Sequence, residues 1–146
     1  MDDDKKLDSE LLYTEVDTIE EKLLTRLAED GLEESATAAE VITYAVEELT
    51  KAADALDAGD EEASKTALDD AISTLEADAA EYETLTDKAY TAGNDDEASE
   101  YEAAMAVAEE AQRILSQLRA EMEAAAAEAK TEAAAAEAKT ESAEGV

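Results

Sequence analysis

The chain has no cysteine, histidine, proline, tryptophan or phenylalanine. Each absence closes off some chemistry. Without cysteine there is no disulfide, no thiolate zinc site and no thiol nucleophile. Without histidine the usual acid–base group near neutral pH is missing, and so is the commonest metal ligand. With no proline and only four glycines in 146 residues, little stands in the way of long helices. Tyrosine is the only aromatic, and its five copies are spread over separate helices at core spacing. Positive charge is scarce as well. Eleven Lys and Arg face 42 Asp and Glu, for a formal charge of −31. No stretch approaches the roughly 18 apolar residues of a transmembrane helix. Met1-Asp2-Asp3-Asp4-Lys5-Lys6 lacks the apolar run of a secretory signal. The expected location is therefore the cytoplasm.

Against these absences stands an apolar content of 45%, enough to argue for a folded chain despite the charge. The length suits one domain. Ala, Leu, Val and Ile recur at helical spacing, and the acids run through every segment between them. The charge thus describes the whole surface of a helical protein. Much of the apolar content is Ala, which buries little area, so helices approach closely and stability per residue is modest.

Four helices follow from periodicity. The first spans about Asp8 to Glu29, with Leu12, Val16, Ile19, Leu23 and Leu27 on one face, widened by Leu11 and Leu24. Asp8 or Ser9 suits its N-cap, and Asp30-Gly31 its stop. The second spans about Ser35 to Ala58, with a stripe of Ala38, Val41, Ile42, Ala45, Val46, Leu49, Ala52, Ala53 and Leu56. Ser35 or Thr37 caps it, and Gly59 ends it. The third spans Asp60 to about Ala92 along Leu68, Ile72, Leu75, Ala79, Tyr82, Leu85 and Ala89, closed by Gly93-Asn94. The fourth starts near Asp95 and carries Ala98, Tyr101, Met105, Ala108, Leu115, Leu118 and Met122, with Ile114 beside them and Gln112 as a polar interruption.

The last helix ends differently. Glu123 to Thr131 reads EAAAAEAKT, and Glu132 to Thr140 repeats it unchanged. A nine-residue step turns about 900°, so successive repeats face opposite ways and build no constant seam. Residues 1–122 are therefore read as the bundle, and residues 123–146 as an exposed, Ala-rich helical or frayed extension. Deleting residues 124–146 is expected to leave the thermal midpoint nearly unchanged, because the repeat has no fixed face to bury. A large drop on calorimetry would mean that the extension docks.

The fold class expected is all-α: an elongated antiparallel four-helix bundle. At about 1.5 Å per residue the first two helices measure ~33 Å each, the third ~50 Å and the fourth beyond 60 Å. Short connections make neighbours antiparallel. The third and fourth helices then project past the first two. Leu85, Tyr90 and Tyr101 lie at that projecting tip with less internal cover and are the candidate interaction site.

No chemistry rises above this background. Asp57, Asp60, Glu61 and Glu62 cluster at one turn, and Asp95, Asp96, Glu97 and Glu100 at the next. Neither has the alternating ligands, central Gly and terminal Glu of a calcium loop, so both read as capping and solvated surface. A bundle di-metal site uses Glu-x-x-His pairs, which are excluded here. There is no Gly-rich phosphate loop and no nucleophile elbow. Lys51, Lys65, Lys88, Arg113 and Arg119 are scattered and form no patch for nucleic acid. We expect no enzyme, no cofactor, no metal and no direct nucleic-acid binding.

The pervasive acid, sparse Lys, frequent Thr and replacement of large apolar residues by Ala and Val resemble the proteins of extreme halophiles such as haloarchaea. That resemblance implies a cytoplasm at molar salt. There the Debye length is only ~3 Å and self-repulsion largely disappears. Two rivals share the composition: an acidic mimic of nucleic acid that captures basic proteins, and a designed helical protein. A second resemblance is local. Ala58-Gly59-Asp60-Glu61-Glu62-Ala63-Ser64 echoes Ala92-Gly93-Asn94-Asp95-Asp96-Glu97-Ala98-Ser99. Around the later turn, Tyr82, Leu85, Gly93 and Ala98 resemble positions of one tetratricopeptide hairpin. Thr86 stands where that repeat keeps glycine, and no proline closes the unit.

The function expected is structural or adaptor, acting through helix faces on a protein partner or on itself. The alternatives are an amphipathic coat on hydrophobic granules, similar in composition to phasins, and the nucleic-acid mimic.

Overall fold

A computed structural model describes the backbone of residues 9–144 and the side chains of residues 9–125. Asp8 as a cap and most of the exposure expected for the Ala-rich extension lie outside the described residues. The described chain is four helices with no strand: α1 Ser9–Glu29, α2 Ala36–Asp57, α3 Glu61–Thr91 and α4 Asp95–Glu144.

Local chemistry sets the helix ends. Ser35 caps α2, its Oγ accepting the Ala38 backbone N–H at 3.1 Å. Asp60 caps α3 by accepting from the Ala63 N–H at 3.0 Å. It stands one residue before the helix and not within its first turn. The two echoing turns share one geometry. Gly59 and Gly93 take φ of 84° and 80°, which residues with a Cβ rarely adopt. The next residue's N–H then reaches back into the helix, Asp60 to the Ala55 carbonyl at 2.9 Å and Asn94 to the Ala89 carbonyl at 2.8 Å.

The fifth residue after each of these glycines is buried: Ser64 in one case and Ala98 in the other. Ser64 pairs its hydroxyl by donating to the Ala52 carbonyl of α2 at 2.8 Å. Counted from glycine, its counterpart is Ala98 and not the exposed Ser99.

Side-chain partners show that sequential helices are antiparallel. Tyr13 on α1 donates to Asp54 on α2, Ser64 on α3 meets Ala52 on α2, and Arg119 on α4 reaches Asp69 on α3 at 3.0 Å. α2 and α4 each touch all three other helices, whereas α1 and α3 do not meet among the described residues. The cross-section is thus a rhombus with α2 and α4 on its short diagonal.

Residue size accounts for that shape. α1 buries Leu12, Ile19, Leu23 and Leu27 and no alanine. α2 buries Ala38, Ala45, Ala52 and Ala53, and α4 buries Ala103, Ala104, Ala108 and Ala111. Small side chains let α2 and α4 approach, while the leucines and isoleucine of α1 hold that helix further out. Because α4 meets three neighbours, its buried arc between Ala103 and Ala111 spans roughly 200°, far wider than a single stripe.

Candidate interaction surface at the hairpin tip

The α3–α4 hairpin outruns the rest of the bundle. Equal steps from the Ser64–Ala52 contact bring Ala36, where α2 begins, level with residue 80 of α3. The rest of α3, roughly 11 residues or about 16 Å, continues beyond. Here Thr86, Ala89 and Ala98 are buried, but Ala89 and Ala98 stand apart from the contiguous core below. On the α4 side the gap is narrower. Residues 31–35, linking α1 to α2, lie over the first turns of α4, tied there by Ser35 Oγ donating to the Glu100 carbonyl at 3.0 Å.

Leu85, Tyr90 and Tyr101 do not form one patch. Leu85 and Tyr90 sit about 140° apart around α3. Leu85 is half-buried, on the flank that faces α2 lower down the helix. Tyr90 is 47% exposed on the opposite flank, its hydroxyl donating to Glu102 of α4 at 3.3 Å. Tyr101 is half-buried and stacks on Tyr82 of α3, with ring centroids 6.3 Å apart and planes inclined by 19°.

Tyr101 also lines a cleft of about 780 Å³ between the α1–α2 loop and the start of α4. Glu33 and Glu34 form one wall, with Asp96, Glu97 and Glu100 on the other, and no Lys or Arg lines it. The acids mark the phenols nearby. The Tyr101 pKa is raised by burial and by Glu97; that of Tyr82 is raised by burial, then by Asp78 and Glu40. Glu102 raises that of Tyr90. All three rings are neutral hydrogen-bond donors at physiological pH.

A second arrangement lies where the last turn of α1 meets α4, and helical spacing singles out no functional residue there. Glu110 is 9% exposed and is the only buried acid among the described residues. Arg113 donates to it through Nε at 2.7 Å and also through Nη2, and Arg26 of α1 donates through Nη1 at 3.1 Å. Arg26 is held in turn by Asp30 at 2.9 Å. Hydrogen bonding from Arg113, with Arg26 assisting and burial opposing, keeps the Glu110 carboxyl below the ordinary carboxylate range. The signal for this site is an acid three residues after Val107 and four before Ile114, on an apolar face, with Arg three further on. Among 42 acids it does not stand out.

The arrangement positions α1 on α4, and its pH dependence follows from the depressed pKa. The stabilisation is complete above the unfolded value of about 4.3 and disappears as pH falls through the lower folded value. Glu110→Gln is expected to cost about 2 kcal/mol at pH 7 in molar KCl. The gap from the parent should close as pH drops below the carboxylate range. A gap that persists in acid would assign the loss to packing.

The remaining ion pairs lie nearer solvent. Lys22 meets Glu15 at 2.7 Å, and Lys65 lies 3.7 Å from Glu61 and 3.9 Å from Glu123. Among the described residues, no group of three or more acids is placed to hold a metal ion, and no helix is long and apolar enough to cross a membrane. The chain matches no protein-family model, no curated protein and no solved structure.

Proposed function

We propose that this chain is a non-enzymatic structural or adaptor protein of a molar-salt cytoplasm, working through helix faces on other proteins or on itself. One observation carries the reading: the α3–α4 hairpin continues past the closed core and presents Leu85, Tyr101 and Tyr90 where α1 and α2 no longer cover it. The tip's own packing is thin, resting on Thr86, Ala89 and Ala98, and so adds little to the bundle's stability. The solvent half of the proposal draws on charge. Every described acid except Glu110 is exposed or half-exposed, which suits a surface whose repulsion is screened by molar salt.

The test has three arms. The adaptor neither coats hydrophobic polyester particles at molar KCl nor captures polylysine in dilute buffer. Partition onto the particles would identify a granule coat instead. Tight polylysine binding that collapses with salt would identify the nucleic-acid mimic.

A further inference from the structure

We infer that the α2-side flank of the projecting hairpin is a docking surface for an amphipathic helix of another protein, one whose apolar edge is bordered by Lys or Arg. The inference rests on the adaptor reading and names the partner's chemistry.

The surface has an apolar floor that is joined through Tyr101 to the acidic cleft beside it. Its floor is Leu85 together with the Tyr82–Tyr101 stack, all half-buried, in line with the place α2 occupies lower down. α2 stops level with residue 80, so over the last ~16 Å of α3 no helix among the described residues fills the seat that α2 takes in the body of the bundle, and the α1–α2 loop lies on the α4 side of it. An incoming helix of about three turns has the length to take that seat. The buried Ala89 and Ala98 between α3 and α4 belong to no larger core, so added cover would extend packing that is thin.

Charge decides which helix fits. Glu33 and Glu34 border the cleft on the loop side, and Asp96, Glu97 and Glu100 on the α4 side. A second copy of the chain would bring the same acids against them, and like charges brought together oppose docking. A partner with Lys or Arg beside its apolar edge meets the carboxylates of the cleft next to Tyr101, and guanidinium groups bind them bidentately. Pairs in direct contact lie within the ~3 Å screening length of molar salt, so this preference survives there.

The experiment uses the full chain at about 1 M KCl, where bare surface attraction has a range of only ~3 Å. Fluorescence anisotropy follows three labelled peptides. The first is a helix with Leu along one edge and Arg flanking it; the second has the same residues in scrambled order; the third carries Glu in place of Arg. The first is expected to bind at least ten-fold more tightly than the other two. Leu85→Ser combined with Tyr101→Ser should weaken it at least ten-fold, while Tyr90→Ser, on the opposite flank, should leave it unchanged.

A second variant guards against unfolding of the first. Glu33→Gln with Glu34→Gln alters only exposed side chains. It should weaken the Arg peptide several-fold with the thermal midpoint unmoved. Equal binding of the scrambled peptide overturns the inference, as does a preference for the Glu peptide, or parent-like binding by both tip variants. A doubled mass by light scattering that the tip variants abolish would make the occupant a second copy and would also overturn it. Failure of the adaptor reading is separate, since it shows in the particle and polylysine arms, which do not depend on Leu85 or Tyr101.

Discussion

In dilute buffer the chain is expected to unfold broadly at low temperature or to remain molten, and at molar KCl to unfold in one cooperative step. The acids line the outside of all four helices, and the few cations neutralise them only locally, as Lys51 does for Glu48 at 3.0 Å and Arg119 for Glu123 at 2.7 Å. Against that repulsion stands an interior in which alanine makes up about half of what α2 and α4 bury. Burying a methyl group returns far less than burying a leucine side chain. Screening that restores a few kcal/mol raises the midpoint by roughly 10–20 °C in a protein of this size. Circular dichroism melts in buffer with and without molar KCl measure it directly. Equal midpoints would remove the basis for a high-salt protein.

The other large effect should come from Leu115→Ala. Leu115 is fully buried on α4, the helix that touches all three others along with α2. Its loss leaves a cavity bounded by several elements, which cannot all close on it, and such replacements cost about 2–5 kcal/mol. Total stabilities of domains run at about 5–15 kcal/mol, and few large side chains share the load here. Denaturant titration at molar KCl should show the midpoint falling steeply. Leu11→Ala, at a position 52% exposed, should stay within about 0.5 kcal/mol of the parent. Similar losses for both would mean that packing is not centred on α4.

The helices themselves were legible because their boundary signals act locally. Ser35, Gly59 and Gly93 do in three dimensions what their residue types favour, whatever lies across the bundle. The stripes were legible where large and polar residues alternate. All four residues buried on α1 belong to the expected face, with Val16 of that face half-buried at its edge. Periodicity fails in the middle of α4. Ala103, Ala104, Ala106, Val107 and Ala111 fall outside the expected stripe yet are buried, since a helix with three neighbours buries more than one stripe. Glu110 was hidden for a different reason: its partner Arg26 lies 84 residues away. At the tip, helical geometry alone places Leu85 and Tyr90 on different flanks. Which flank lacks a neighbour depends on where α2 stops against α3, a tertiary register that no local pattern encodes.

Ser35 links two of these features. Its single hydroxyl accepts the N–H that starts α2 and donates to the Glu100 carbonyl that fixes the loop over α4. The same residue lines the acidic cleft. A load that pries the cleft open therefore pulls on the cap of α2, and one that seats well in it leaves both bonds made. Strain at the far end of the hairpin has a direct mechanical route into the central helix pair, through one side-chain oxygen and without passing through α1.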